Sequence, residues 1–476
     1  MALGLQKRIT ELARGSGPPA RLMSLDAYRG FIMLAMASSA FGFSTMANSP
    51  DVLDQFSGTA WDGTWRGVWR WLAYEFEHVP WTGCGFWDLI QPSFMFMVGV
   101  AVPFSTARRA QIGQSSARQF AHVLLRSLIL VVLGVFLSSQ GRAVTNFTFV
   151  NVLTQIGLGY WVLHLFRVRP KWNWSPRSWL VLQGLAVAVV LIGYWGWFQS
   201  YSIPEEERET VERFVAQQMQ SRGKSDAEVE RELGLTRDFT GYAAHWNKHT
   251  NAAAAVDRWF LNRFPRQEPE WEGARFWVNE GGYQTLNFVP SLATMLLGLM
   301  AGTVLRAGWL MTDALRWMLL AGAVCFLVAM ALDTSTWPIP FATWPIPFAT
   351  WSICPSVKRI WSPTWAVFSS GWTFWILAAF YWIVDIRGCR RIAWPFAVVG
   401  MNSIAMYCMS QLMGGWTRET LKTHSATIDS WLGMDQGLGY LLTQSAYAPF
   451  NSRVAVLFVF WLICLWMYRR SIFIRI

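Results

Sequence analysis

Apolar and polar residues fall in long blocks along this chain, with no short alternation of period two. Runs of about 17 to 25 apolar residues, the helix length that a bilayer core of about 30 Å requires, are separated by polar segments. Ten runs can be read: Tyr28 to Ala47, Trp87 to Phe104, Ala121 to Ser138, Thr148 to Phe166, Trp179 to Phe198, Thr285 to Leu305, Leu315 to Leu332, Thr364 to Val384, Ile392 to Met413 and Val454 to Tyr468, the last short as read and expected to start earlier, near Ala446. The pattern predicts an all-α polytopic membrane protein that forms a single domain over residues 1–476. Residues 201–284 form an insertion between the fifth and sixth spans, and residues 333–362 form a loop rich in Pro and Trp. Within the insertion, Glu205 to Leu233 reads either as one helix or as a helical pair broken at Ser221 to Ser225. Residues 336–349 are a tandem heptad with two prolines per copy, which excludes α-helix there and suggests an extended loop.

Composition supports this reading. Of the 476 residues, 53% are hydrophobic and only 14% charged, against roughly 25% charged in soluble domains. A cytosolic enzyme, a disordered chain and a secreted disulfide scaffold are thereby excluded. The six cysteines are scattered, with no zinc-type or CxxC spacing. Residues 1–27 hold no apolar core of signal-peptide length, so the first apolar run is expected to be kept as a helix.

Charge then orients the spans. Assigning the segments between runs to alternate sides puts 21 Lys and Arg against 4 acidic residues on one side, a balance of +17. The other side carries −6, and together they give the formal +11. Basic residues of short loops face the cytoplasm, so both termini are expected inside and the 201–284 insertion outside. The basic excess is thus an orientation signal, with arginines free to meet membrane lipids or an anionic cofactor. It forms no concentrated patch of the kind nucleic acid needs.

Four constellations could carry chemistry. Asp26 and Arg29, three apart at the inner end of the first span, either pair as a boundary anchor or present Arg29 to an anionic ligand. At the outer start of the second span, His78 precedes Pro80, Trp81 and Gly83, and Asp88 follows ten residues later. Taken alone His78 is either an interfacial residue with no chemistry or, as the side chain best able to take a proton near pH 7, a base, and Asp88 can orient it only if the chain between Pro80 and Gly85 turns back. Asn402, Ser403 and Tyr407 in the ninth span either join helices or face a ligand cavity. His245 and His249 have i, i+4 spacing but lack a third ligand, so no metal is expected.

Taken in order, these segments resemble the heparan-α-glucosaminide N-acetyltransferase family of transmembrane acyltransferases and its bacterial relatives. The resemblance is carried by SerLeuAsp-x-x-ArgGly at Ser24 to Gly30, by His78 with Pro80, Trp81, Gly83 and Asp88, by Pro92 to Gly99, by LeuGly-x-x-AlaGly at Leu297 to Gly302, and by GlyMetAsnSerIle with Tyr407. It implies acyl transfer from cytoplasmic acetyl-CoA to an amino sugar or glycan on the far side, with no metal. His78 would be the base or acyl carrier and Asp88 its orienter, Asp26 and Arg29 the cofactor contacts, and Trp81, Gln155, Asn402, Ser403 and Tyr407 the acceptor contacts. It also implies an integral multi-pass protein, in the inner membrane if the source is bacterial, and leaves a homo-oligomer open. The chain departs from the family at Ser38, Ser39 and Ala40, where an Asn is usual, at Thr154 and Gln155 in place of a Gln-Arg pair, and at Ser410 and Gln411 in place of a His-Glu pair. A transporter of a sugar or lipid-linked solute is the rival class, although the two halves show no inverted repeat.

Overall fold

A computed structural model describes residues 22–169, 174–265, 278–334 and 351–474; the tandem heptad lies outside these residues. The described chain is helical, and its strand-like pairing is confined to two isolated antiparallel bridges, Thr82 with Val357 and Asp333 with Ser352. The helices used below are α1 (Met23–Ala37), α2 (Asp62–Glu75), α3 (Ile90–Gln111), α4 (Ser116–Ser138), α5 (Val152–Leu165), α6 (Pro176–Gln199), α7 (Glu205–Ser221), α8 (Asp226–Gly234), α9 (Ala252–Phe260), α10 (Phe288–Arg306), α11 (Met311–Leu332), α12 (Pro363–Phe380), α13 (Arg390–Gly400), α14 (Ser403–Leu432) and α15 (Ala448–Arg469).

Among the described residues, eight helices are long and apolar enough to cross a membrane, or nine if α13 and α14 count as one span bent by 62°. The fold is therefore that of a polytopic helical membrane protein. The expected fourth span is the exception to the ten-run reading: α5 has 14 residues, about 21 Å of helix, which is short for a full crossing. Its N-terminus is set by Asn151, whose side chain accepts from the amides of Leu153 and Thr154, so Thr148, Phe149 and Val150 of the expected run lie outside the helix. The expected ninth span breaks at Met401 and Asn402, between α13 and α14.

The centre of the bundle is α3, α10 and α12, whose inward faces are largely buried. Their packing is close because glycines replace side chains at the crossings. A Cβ on Gly298 would meet the Phe96 carbonyl oxygen at 2.0 Å, and one on Gly99 would meet that of Met295 at 1.9 Å. A second such crossing joins α1 to α13, where a Cβ on Gly400 would meet the Asp26 carbonyl oxygen at 1.8 Å. Without a hydrophobic force between helices in lipid, such small residues let dispersion between backbones hold the bundle together. The insertion carries α7, α8 and α9. Ser225 caps α8 in a reciprocal box with Glu228, which starts the second helix of the expected pair.

Candidate functional site

Three central helices begin at one place. The Phe86–Leu89 turn leads into α3, the Thr285–Asn287 turn into α10, and Ser362 caps α12. Their N-termini add positive potential, a setting that favours a carboxylate or a developing oxyanion.

The segment before α3 holds the two residues that the sequence singled out. Gly83 at φ +111° turns the chain back, a conformation open to glycine, so that His78 returns to Asp88 ten positions on. The His78 Nδ1 lies 2.8 Å from Asp88 Oδ1, and the amide of Gly85 donates to Asp88 Oδ2 at 3.1 Å. Asp88 is fully buried, whereas the His78 side chain is 44% exposed. Nε2 makes no hydrogen bond to the described residues, so one ring nitrogen is held and the other is open.

A third member of this group is a residue that the sequence reading missed. Lys358 Nζ lies 2.8 Å from Asp88 Oδ1 and 2.8 Å from His78 Nδ1, with its side chain only 2% exposed. Its loop is fixed from both ends. Val357 bridges Thr82, and the Trp361 backbone sits at φ +48° in a turn closed by a bond from its amide to the Lys358 carbonyl. A bulky residue there is sparsely populated in general, and the fully buried Trp361 is secured by an indole bond to Thr294 Oγ1 at 3.2 Å. Arg359 ties the neighbouring loops together, donating to the carbonyls of Gly281 at 2.8 Å and Val79 at 3.0 Å. Its guanidinium also lies 5.5 Å from the Tyr283 ring, and that ring in turn lies 6.4 Å from the imidazole of His78.

Burial of its inner edge lowers the His78 pKa below the ordinary histidine value, and the charges of Lys358 and Arg359 push the same way against the opposing bond to Asp88. That direction favours the neutral imidazole. With its proton on Nδ1 facing Asp88, the Nε2 lone pair faces the open side, the tautomer that a general base or acyl carrier requires.

Other expected site residues fall elsewhere. Trp81 is 2% exposed and forms part of the wall, with Lys248 Nζ 6.0 Å from its ring. Gln155 is buried and donates to the carbonyls of Phe149 and Thr285, tying α5 to the start of α10. Asp26 and Arg29 form an ion pair at 3.8 Å, and Gly400 packs on the Asp26 backbone, so this pair belongs with the α13–α14 break and not with His78. At that break Asn402 donates to the Ile472 carbonyl and accepts from the Ile474 amide, which makes it a clamp on the C-terminal segment. Ser403 begins α14 half-buried, and Tyr407 is buried one turn on. His245 and His249 have separate partners: His245 Nδ1 is 2.7 Å from the Tyr201 carbonyl, and His249 Nε2 is 2.7 Å from Glu232. A cavity of 310 Å³ in the insertion is lined by Tyr201, Arg208, Arg237 and His245 among others, and includes none of His78, Asp88 and Lys358.

No protein-family model matches the chain. A stretch of 199 residues is 24% identical to the human heparan-alpha-glucosaminide N-acetyltransferase, covering 38% of this chain and 26% of that relative's length. The likeness is a distant one to an N-acetyltransferase and supports a transferase at the level of the family.

Proposed function

We propose that the protein is a membrane acyltransferase that moves an acetyl or other acyl group from cytoplasmic acyl-CoA to an amino sugar or glycan on the extracytoplasmic side. The observation that carries this reading is the His78–Asp88–Lys358 group, with Nδ1 held and Nε2 open at the point where three helices begin.

In this reaction the acceptor nitrogen or oxygen forms a bond to the acyl carbon and the carbon–sulfur bond breaks. The proton lost by the acceptor passes to His78 Nε2 and then to the departing sulfur. If His78 is instead the acyl carrier, Nε2 attacks the thioester and the carbon–sulfur bond breaks to release the CoA thiolate; the acceptor then attacks the acyl-imidazole, the bond from the acyl carbon to Nε2 breaks, and the acceptor's proton passes to Nε2. In both routes positive charge develops on the imidazole, and Asp88 stabilises it through Nδ1–H. Asp26 and Arg29 are proposed to meet the donor, and Asn402, Ser403, Tyr407, Trp81 and Gln155 to shape the path or the acceptor end.

The test is thiol release from acetyl-CoA by the purified protein with glucosamine as acceptor. Release that depends on glucosamine is expected. His78→Ala should lower turnover by roughly 10² to 10⁴, the usual contribution of a positioned acid–base group, while the protein stays folded. Near-normal turnover in His78→Ala would remove this mechanism. No release by the folded wild-type protein, together with solute movement into vesicles, would instead make it a transporter.

A further inference from the structure

At the opposite end of α3 from His78, the ends of three segments bring cations together. Arg109 closes α3, His122 and Arg126 lie on α4, and His164, Arg167 and Arg169 close α5. His164 lies in the field of Arg109, Arg167 and Arg169, and His122 in that of Arg109 and Arg126; no described carboxylate contributes at either histidine. Arg109, Arg126 and Arg167 form no ion pair with any described residue.

Helix capping explains part of this cluster. Arg167 donates to the His164 carbonyl at 2.9 Å and Arg169 to that of Leu165 at 3.3 Å, which suits the negative end of α5. It does not explain Arg126, which sits at the middle of α4, away from both ends of that helix. The Arg126 guanidinium lies over the Tyr160 ring at 4.7 Å and donates to the Tyr160 hydroxyl at 3.1 Å, while its Nε is buried without a partner. His164 is 2% exposed, and its Nε2 is likewise buried without a partner. An ionisable group within a span, as Arg126 is, costs free energy unless it meets a partner or a ligand, and the buried His164 Nε2 near it asks for the same. Guanidinium forks and an imidazole match the oxygens of a phosphate group.

We propose that Arg109, Arg126, His164 and Arg167 form a binding site for a phosphate-bearing ligand at the α3–α4–α5 end of the bundle. The source of the phosphate is either a phospholipid headgroup or a soluble phosphate ester. The site stands on its own charge balance and does not depend on the acyltransfer reading.

The experiment uses the full chain in a neutral detergent. Pyrophosphate binding is followed by calorimetry, phosphatidylglycerol binding by native mass spectrometry with phosphatidylcholine as the reference, and the site is located by hydrogen exchange on the wild-type protein. Binding of either probe with protection confined to residues 116–127 and 160–169 is expected, and the probe that binds identifies the source. Arg126→Gln should weaken that binding about tenfold or more, the worth of one charge-assisted bond. Arg142→Gln, away from the cluster, should not. If neither probe binds the wild-type protein, or protection falls elsewhere, the proposal is overturned even should the arginine variants fail to fold.

Discussion

The Lys358 ammonium lies within 2.8 Å of both His78 Nδ1 and Asp88 Oδ1, although 280 and 270 positions separate it from them in the chain. The three atoms form a near-equilateral contact, and Nδ1 can serve only one partner in each tautomer. When it carries a proton it donates to Asp88; when it does not, it accepts from Lys358. In both states Lys358 donates to Asp88, so the ammonium fixes the carboxylate whichever way the imidazole is protonated. It also repels the imidazolium, which keeps His78 neutral and able to accept a proton on Nε2.

From this follows a prediction for Lys358→Gln. Removing the charge takes away one of the causes that lower the His78 pKa, so that pKa should rise, and the acidic limb of any activity that needs neutral His78 should move to higher pH. The loss of one buried partner should also cost about 3 to 5 kcal/mol of stability, softened by the amides that still bond Asp88. Histidine-selective NMR titration of the purified protein reads the pKa whether or not activity survives. A His78 pKa that stays put or falls in the variant refutes the arrangement.

The insertion gives a pH prediction of its own. Glu232 takes bonds from Lys248 at 2.5 Å and from His249 at 2.7 Å. Burial alone would raise its pKa, but these two partners outweigh it and hold Glu232 at about 2. Burial also lowers the His249 pKa. Both groups have folded pKa values below their unfolded ones, so the stability they supply is present above about pH 6.5 for His249 and about 4.5 for Glu232. It is lost as pH falls, first through the histidine and then toward 2 through the carboxyl. The protection factors of residues 226–252, with the intrinsic pH dependence of amide exchange divided out, should therefore fall on acidification below pH 6.5, and Glu232→Gln should flatten the lower part of that response. Protection factors that are flat from pH 7 to 4 would contradict the pairing.

How far the sequence could be read depends on how local each signal is. Long apolar runs declare spans because a bilayer demands them, and eight of those expected appear as helices of sufficient length. His78 and Asp88 were legible because only a ten-residue turn separates them. Lys358 was not, since its approach depends on a bridge between segments 275 positions apart, Thr82 with Val357. A signal was nevertheless present: the LysArg pair at 358–359 stands just before an apolar run on the side expected to be poor in cations, and its cost asks for a partner. Gly99, Gly298 and Gly302 of the family-like motifs mark helix crossings, and Asn402 clamps the C-terminal segment. At the glycines of these motifs the backbones of two helices meet.

The orientation expected from charge can be tested at a native thiol. Cys389 is exposed in the turn between α12 and α13, on the side expected to be cytoplasmic. Gln220 is exposed on α7 of the insertion, on the side expected outside. In intact cells an impermeant maleimide should label Gln220→Cys, whereas Cys389 should react only once the membrane is opened. The reverse pattern would invert the whole assignment and place His78 on the cytoplasmic side.

The α3–α10 crossing supports the site. At Gly298 an added methyl would sit 2.0 Å from the Phe96 carbonyl oxygen, an atom of the helix backbone that cannot rotate aside as a side chain would. Gly298→Ala must therefore push α10 away from α3, at a cost of about 1 to 3 kcal/mol for overpacking. Gly193 on α6 offers the opposite case: nothing lies within 4 Å of its added methyl, so Gly193→Ala should gain up to about 1 kcal/mol from helix propensity. Thermal midpoints of the two variants in one detergent should thus move in opposite directions. Because α3 follows Asp88 and α10 follows Tyr283, the same displacement should part the ring of Tyr283 from His78, and Gly298→Ala should lose activity beyond its loss of folded protein. Equal midpoints for the two variants would show that the crossing is looser than its carbonyl contacts require.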